Sequence, residues 1–175
     1  GPDKNLGGYI NTVTGREMLL WNGGCHVHGQ FSLAKILAIK AEHPEAKILV
    51  HPECPAPVQK VADVIGSTAG LLNFAIKDDA TEFIVATESG ILHEMKKACP
   101  DKLFIPAPPE TTEAEGCSCN ECEFMKLNTL NKLYNTLKYE WPAIEVAPEI
   151  AEKAIKPIDK MLEISKNLKS AMSSK

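Results

Sequence analysis

The chain has 175 residues, 44% hydrophobic and 24% charged, with a net charge of -4, enough to bury a core as one domain or one domain plus a piece of another. Lys and Arg are interspersed with Asp and Glu, so no basic field points to nucleic acid or an anionic membrane. No apolar run approaches the roughly 18 residues that span a bilayer and no signal-peptide pattern opens the chain, so the expectation is a cytoplasmic protein with neither membrane nor nucleic-acid partner.

In chain order, Gly1-Pro2 without an initiator Met reads as the start of a fragment. The run "EMLLW" (17–21) is predicted as a strand and "SLAKILAIKAEH" (32–43) as a helix, with Leu33, Ile36 and Leu37 at helical spacing and Ser32 as N-cap. Strand "KILV" (47–50) follows, then a helix over 56–66 with Pro57 in its first turn and Gly66 at its end. A second helix, "STAGLLNFAIKD", is capped by Ser67 or Thr68. Strand "EFIVA" (82–86), helix "GILHEMKKAC" and strand "KLFIP" (102–106) complete the alternation. After a Pro-rich loop over 107–118 come one long helix, "CEFMKLNTLNKLYNTLKY", and a last helix over about 148–171 that Pro157 should kink or divide.

Strands alternating with helices at this spacing make an α/β fold: a parallel sheet in an α/β/α sandwich, with a partial preceding domain and C-terminal helices. Ligands of such sheets sit beyond the carboxyl ends of the strands. His51 and Glu53 lie at one such end, Thr87 and Glu88 at the next, and Cys25 just past "EMLLW".

Several residues on that rim carry chemistry. Cys25 stands in "WNGGCHVHG", where two glycines allow close backbone approach; it reads as a loop thiol or as a metal ligand with His28 facing the same space. "CSCNEC" holds Cys119-x-x-Cys122 with Cys117 before it, a spacing that suits a metal site, a dithiol or a disulfide. Cys122 precedes a helix, whose positive dipole end favours thiolate. His51 and Glu53, two apart across a proline, can face one side and share acid–base work. Ser67 and Thr68 offer hydroxyls and N–H groups at a helix start, fit for a carboxylate or phosphate. Cys54 and Cys99 read as small apolar fillers, and His43 and His93 as surface or structural residues.

Taken together, "PDKNLGGYI", "LWNGGCHVH", "VHPECP", "ADVIGSTAG", "FIVATESGILHEM" and "CEFMKLNTL" resemble, in order over about residues 2–135, the A-type quinolinate synthase family of bacterial NAD biosynthesis. The resemblance implies an iron–sulfur enzyme that condenses iminoaspartate with dihydroxyacetone phosphate to quinolinate, losing phosphate and two waters. It also implies a partner enzyme that oxidises aspartate to supply iminoaspartate. Family members have three similar α/β domains about a pseudo-threefold axis, each giving one Cys to a [4Fe–4S] cluster whose fourth iron stays open as a Lewis acid. By motif, Cys25 and Cys122 match two of the ligands, and Cys117 and Cys119 match none. His51 is implied to bind a substrate carboxylate and Glu53 to move protons. Ser67 and Thr68 are implied to hold a carboxylate or the phosphate-bearing intermediate, and His28 to line the pocket.

The family chain is roughly twice as long, so the first domain and the front of the second, with the first cluster Cys and a Tyr-x-Asn substrate motif, are expected to be missing here. Residues 1–30 are then expected to close the middle domain, 31–140 to form the third and 141–175 a helical tail, and the chain alone is expected to be inactive. The competing readings are a zinc-binding module using "CSCNEC" with Cys25 and a dithiol redox protein using Cys119 and Cys122.

Overall fold

The alternating strands and helices do build a parallel sheet. The computed structural model describes residues 3–110 and 120–173, and the chain divides into two compact units, Gly1–Leu127 and Asn128–Lys175. The first unit contains α1 (Lys4–Thr14), α2 (Leu33–Glu42), β1 (Lys47–Val50), α3 (Ala56–Gln59), β2 (Val64–Ile65), α4 (Thr68–Lys77), β3 (Glu82–Ala86), α5 (Ile91–Ala98), β4 (Leu103–Pro106) and α6 (Glu123–Lys126). The strands form one four-stranded sheet in the order β2-β1-β3-β4, every pair parallel.

Side chains alternate across a strand, and both faces of this sheet are covered. Ile48, Val50, Ile84 and Ala86 pack with Phe31, Ile36 and Val58 on one face. Leu49, Phe83 and Val85 pack with Leu71, Ala75, Met95 and Phe104 on the other. The unbroken apolar runs of β1 and β3 follow from this, since a central parallel strand has no solvent side.

Register fixes the rim. Val50 pairs with Ile65 on one side and with Ala86 on the other. The ladder continues past the strand ends: His51 N–H donates to Ala86 O (3.0 Å) and Gly66 N–H to Val50 O (3.1 Å). His51, Thr87 and the turn into α4 therefore leave the sheet at one level.

Three expectations about elements are corrected. Residues 16–20 form no strand, and within 17–21 Trp21 alone makes an isolated bridge, to Asp3. Among the described residues that run has no neighbouring strand to pair with; Leu19 and Trp21 stay exposed while Leu20 lies on Gly7 of α1, a helix that the sequence pattern does not announce. The helix expected over 56–66 is one turn, α3, because Val64 and Ile65 leave it to pair with β1. The long helix over 122–139 is two helices, α6 and, in the second unit, α7 (Leu130–Tyr139), whose start is capped by the Thr129 hydroxyl accepting from Lys132 N–H at 3.3 Å. In the second unit, α8 (Pro148–Ser173) runs through Pro157 undivided, so of the two outcomes expected there the division does not occur. Among the described residues, no helix is long and apolar enough to cross a membrane.

Candidate functional site

The loop after β1 is held tightly. Cys54 N–H returns to His51 O (2.9 Å), and the Gln59 amide donates to Pro52 O (2.9 Å) and Cys54 O (2.7 Å). Cys54 is fully buried and its thiol donates to Ala86 O at 3.4 Å. Burial pushes that thiol up to about 12, against a weaker opposing pull from the His51 backbone hydrogen bond, so Cys54 is the inert filler expected. With Cys54 turned into the core, His51 and Glu53 are left at the surface of the rim.

The other side comes from the N-terminus. Asp3 caps α1 through Oδ1, which accepts from Leu6 N–H (2.8 Å), while Oδ2 accepts from Cys25 N–H (3.2 Å). Lys4 N–H donates to Gly23 O (3.1 Å), and the Asn5 amide donates to Glu53 O (3.0 Å). One helix start thus ties the Cys25 loop to the His-Pro-Glu loop. A tight turn, Gly29 N–H to Cys25 O (2.9 Å), then brings His28 inward, followed by the buried Phe31.

His28 is the centre of the arrangement. Its ring stacks on His51 with centroids 4.4 Å apart and planes 20° apart. Nε2 lies 3.0 Å from Thr87 Oγ1. Nδ1 lies 3.0 Å from Glu53 Oε2 but out of line for a hydrogen bond, and it is buried without a hydrogen-bond partner. Burial, with the His51 charge second and a weaker opposing effect of Asp3, lowers the His28 pKa to about 4. His51 is lowered as well, first by burial, with Glu53 and Asp3 pulling the other way. Both rings are therefore neutral at pH 7. The Glu53 N–H donates to His51 Nδ1 at 3.3 Å, which leaves the His51 proton on Nε2. Cys25, His28 and Glu53 offer sulfur, nitrogen and oxygen atoms that all lie within 4.8 Å of one another, a group able to hold a metal ion.

Cys122 occupies the position before α6. Its N–H donates to Glu88 Oε1 (3.4 Å), while Glu88 Oε2 accepts from Gly90 N–H (2.8 Å). Asn120, buried, accepts from Ser89 N–H (3.0 Å) and donates its amide to Ala107 O. The segment before α6 is thereby pinned to the ends of β3 and β4. Next to the two cysteines, His26 meets Phe124 edge-on at 5.3 Å. An open cavity of about 570 Å³ lies between His26, Val27 and Gln30 on one side and Asn120, Glu121 and Glu123 on the other.

The structure thus brings His28, His51, Glu53 and Cys25 together, with the Cys122 segment against the Cys25 loop. Ser67 and Thr68 are at the same rim, but Ser67 Oγ already accepts from Gly70 N–H (3.1 Å) as the cap of α4. Cys117 and Cys119 lie outside the described residues. Cys99 is buried against Ala75 O, and His43 pairs with Glu82 at 2.8 Å, both structural as expected. Asp3, Asn5 and Asn120 are site residues that sequence reasoning missed. Asp is a preferred N-cap, but with α1 unannounced in the sequence pattern neither the cap at Asp3 nor its second oxygen's reach to Cys25 was legible.

Residues 1–163 match the family model described as quinolinate synthetase A protein. Among curated relatives, the quinolinate synthase of Microcystis aeruginosa is 51% identical over 164 residues, 94% of this chain and 50% of that protein. That of Chloroherpeton thalassium is 51% identical over 165 residues, again 94% and 50%. The chain spans about half the length of the curated relatives it matches.

Proposed function

The chain belongs to the quinolinate synthetase A family, and from that premise we propose that it is the part of a quinolinate synthase that carries the acid–base residues and two thiolates of its cluster. The reaction assigned is condensation of iminoaspartate with dihydroxyacetone phosphate to quinolinate in cytoplasmic NAD biosynthesis, with iminoaspartate supplied by an aspartate-oxidising enzyme. One observation carries the reading: a neutral, buried His28 stacked on His51 and set against the Glu53 carboxylate, with Cys25 alongside.

The donors present suit an iron–sulfur cluster. Cys25 and Cys122 are free and half-buried at the rim, whereas Cys54 and Cys99 are buried in the core. When bound, a [4Fe–4S] cluster held by Cys25, Cys122 and a thiolate from outside this chain supplies a Lewis-acidic iron. The protein's own groups do the rest. Glu53 Oε2 is the base, partly open to solvent and set beside two neutral rings. It takes the proton removed in enolisation and returns it to leaving hydroxyls. His51, whose proton is on Nε2, donates through that atom to a substrate carboxylate. His28, fixed by Thr87, holds the shape of the pocket. Ser67 retains its hydroxyl hydrogen for an anion, and with Thr68 and the N–H groups opening α4 it is assigned the phosphate-bearing intermediate.

Because this chain matches about half of its relatives, turnover is assigned to the full-length enzyme, with residues 1–30 closing a middle domain, 31–140 forming the third and 141–175 a helical tail. The test is iron and acid-labile sulfide per chain in the anaerobically purified complete polypeptide. About four of each are expected, lost in Cys122→Ser and kept in Cys117→Ser. Zinc without sulfide, or equal loss in both variants, overturns the reading or its choice of ligand respectively.

A further inference from the structure

The geometry points to a second use of the same corner: we propose that Cys25 Sγ, His28 Nδ1 and a Glu53 carboxylate oxygen form a mononuclear site for a zinc-type divalent cation when no cluster occupies Cys25. The donor set is one sulfur, one nitrogen and one oxygen, all within 4.8 Å of one another. A tetrahedral ion at ordinary bond lengths holds its ligands roughly 3.3–3.8 Å apart, so a small contraction closes the site. Three protein ligands leave a fourth position open for water or a substrate carboxylate.

A second observation is independent of that proximity. His28 is only 7% exposed, yet its Nδ1 makes no hydrogen bond, because Glu53 Oε2, 3.0 Å away, lies out of line. Burying such an atom unpaired is costly, and a cation between Nδ1, Cys25 and Glu53 removes the cost. The opposite ring atom is already arranged for this. With Nδ1 on a metal, Nε2 carries the proton and donates to Thr87 Oγ1, 3.0 Å away, the outer contact that metal-bound histidines generally make. Main-chain bonds hold the other two ligands, Cys25 N–H on Asp3 Oδ2 (3.2 Å) and Glu53 O accepting from Asn5 (3.0 Å).

Binding breaks the Cys25 S–H bond, forms a metal–thiolate bond and releases the proton to solvent, with no change of oxidation state. A thiolate on a mononuclear ion cannot also hold the cluster, so the two occupants exclude each other. That exclusion rests on the assignment of Cys25 to the cluster; the mononuclear site does not.

Titration of the cluster-free 175-residue chain with Co2+, followed by visible and near-ultraviolet absorption, tests the site. The expected result is about one Co2+ per chain with thiolate-to-cobalt absorption, abolished in Cys25→Ser, weakened at least about tenfold in His28→Gln, and unchanged in Cys122→Ser. Affinity unmoved by His28→Gln, or lost in Cys122→Ser, overturns the proposal. Should His28→Gln fail to fold by circular dichroism, Glu53→Gln is titrated in its place: the same weakening is expected, and unmoved affinity overturns the proposal. Cys122→Ser also separates the mononuclear site from the cluster, because it must lose cluster iron if the cluster reading holds and must keep cobalt if the mononuclear site does.

Discussion

Thr87 and Asp3 show how single residues set the chemistry of others. His28 is neutral because it is buried, and it is oriented because Thr87 meets Nε2. In the folded chain its pKa is about 4, against 6.5 for the free side chain. Between those values the unfolded chain binds a proton that the folded chain refuses, so stability is full above pH 6.5 and falls as pH drops toward 4. Urea unfolding of this chain across that window is expected to show the decline, approaching about 1.4 kcal/mol per pH unit, and a flatter profile in His28→Gln. An unchanged profile would mean that His28 is not the group responsible. Glu53→Gln in the complete enzyme is expected to keep the cluster iron and lose turnover, since the amide cannot accept the proton; full activity would remove Glu53 from the mechanism. His51 and Glu53 were legible as a pair from two positions across a proline. Their link to His28 came from the family resemblance and not from spacing, because the residues are more than twenty apart in sequence.

Among elements, residues 120–122 before α6 are held at the rim by a few specific ties. Ser89 N–H to Asn120 O and the Asn120 amide to Ala107 O anchor them beside β3 and β4, and Glu88 holds Cys122 N–H. Truncating one partner of a buried hydrogen bond costs about 1–3 kcal/mol. Asn120→Ala is therefore expected to lower stability by that amount in denaturant unfolding and, in the complete enzyme, to speed loss of iron to a chelator. Unaltered stability and unaltered iron loss together would show that Asn120 anchors nothing. Strands β1 and β3 were readable because a central parallel strand is apolar throughout. The two-residue β2 was not, since its residues belong locally to a helical pattern and are recruited by pairing with Leu49 and Val50.

The whole molecule is two units, and the first, Gly1–Leu127, contains the sheet, both core clusters and every residue of the Cys25–His28–Glu53 corner. A chain ending at Leu127 is expected to keep a cooperative unfolding transition and to bind Co2+ as the 175-residue chain does. Loss of cooperativity would show that the first unit does not stand alone. The second unit carries α7 and α8 with Leu130, Leu133, Leu137, Ile150, Ile158 and Leu162 all exposed.

Legible from the chain alone were local features: the apolar runs of β1, β3 and β4, the Ser32 cap and a cap at Ser67 or Thr68, the burial of Cys54, and the placing of His51 and Glu53 at a strand's carboxyl end. These follow from unbroken apolar runs and capping chemistry, which neighbours in sequence specify. The tertiary structure alone decided the rest. The register between β1 and β3 sets His51 level with Thr87, and the start of α1 pulls Cys25 toward Glu53. Burial of His28 leaves Nδ1 without a hydrogen bond, 3.0 Å from Glu53 Oε2. Each of these depends on distance and desolvation between segments far apart in the chain, and no spacing along the sequence encodes them.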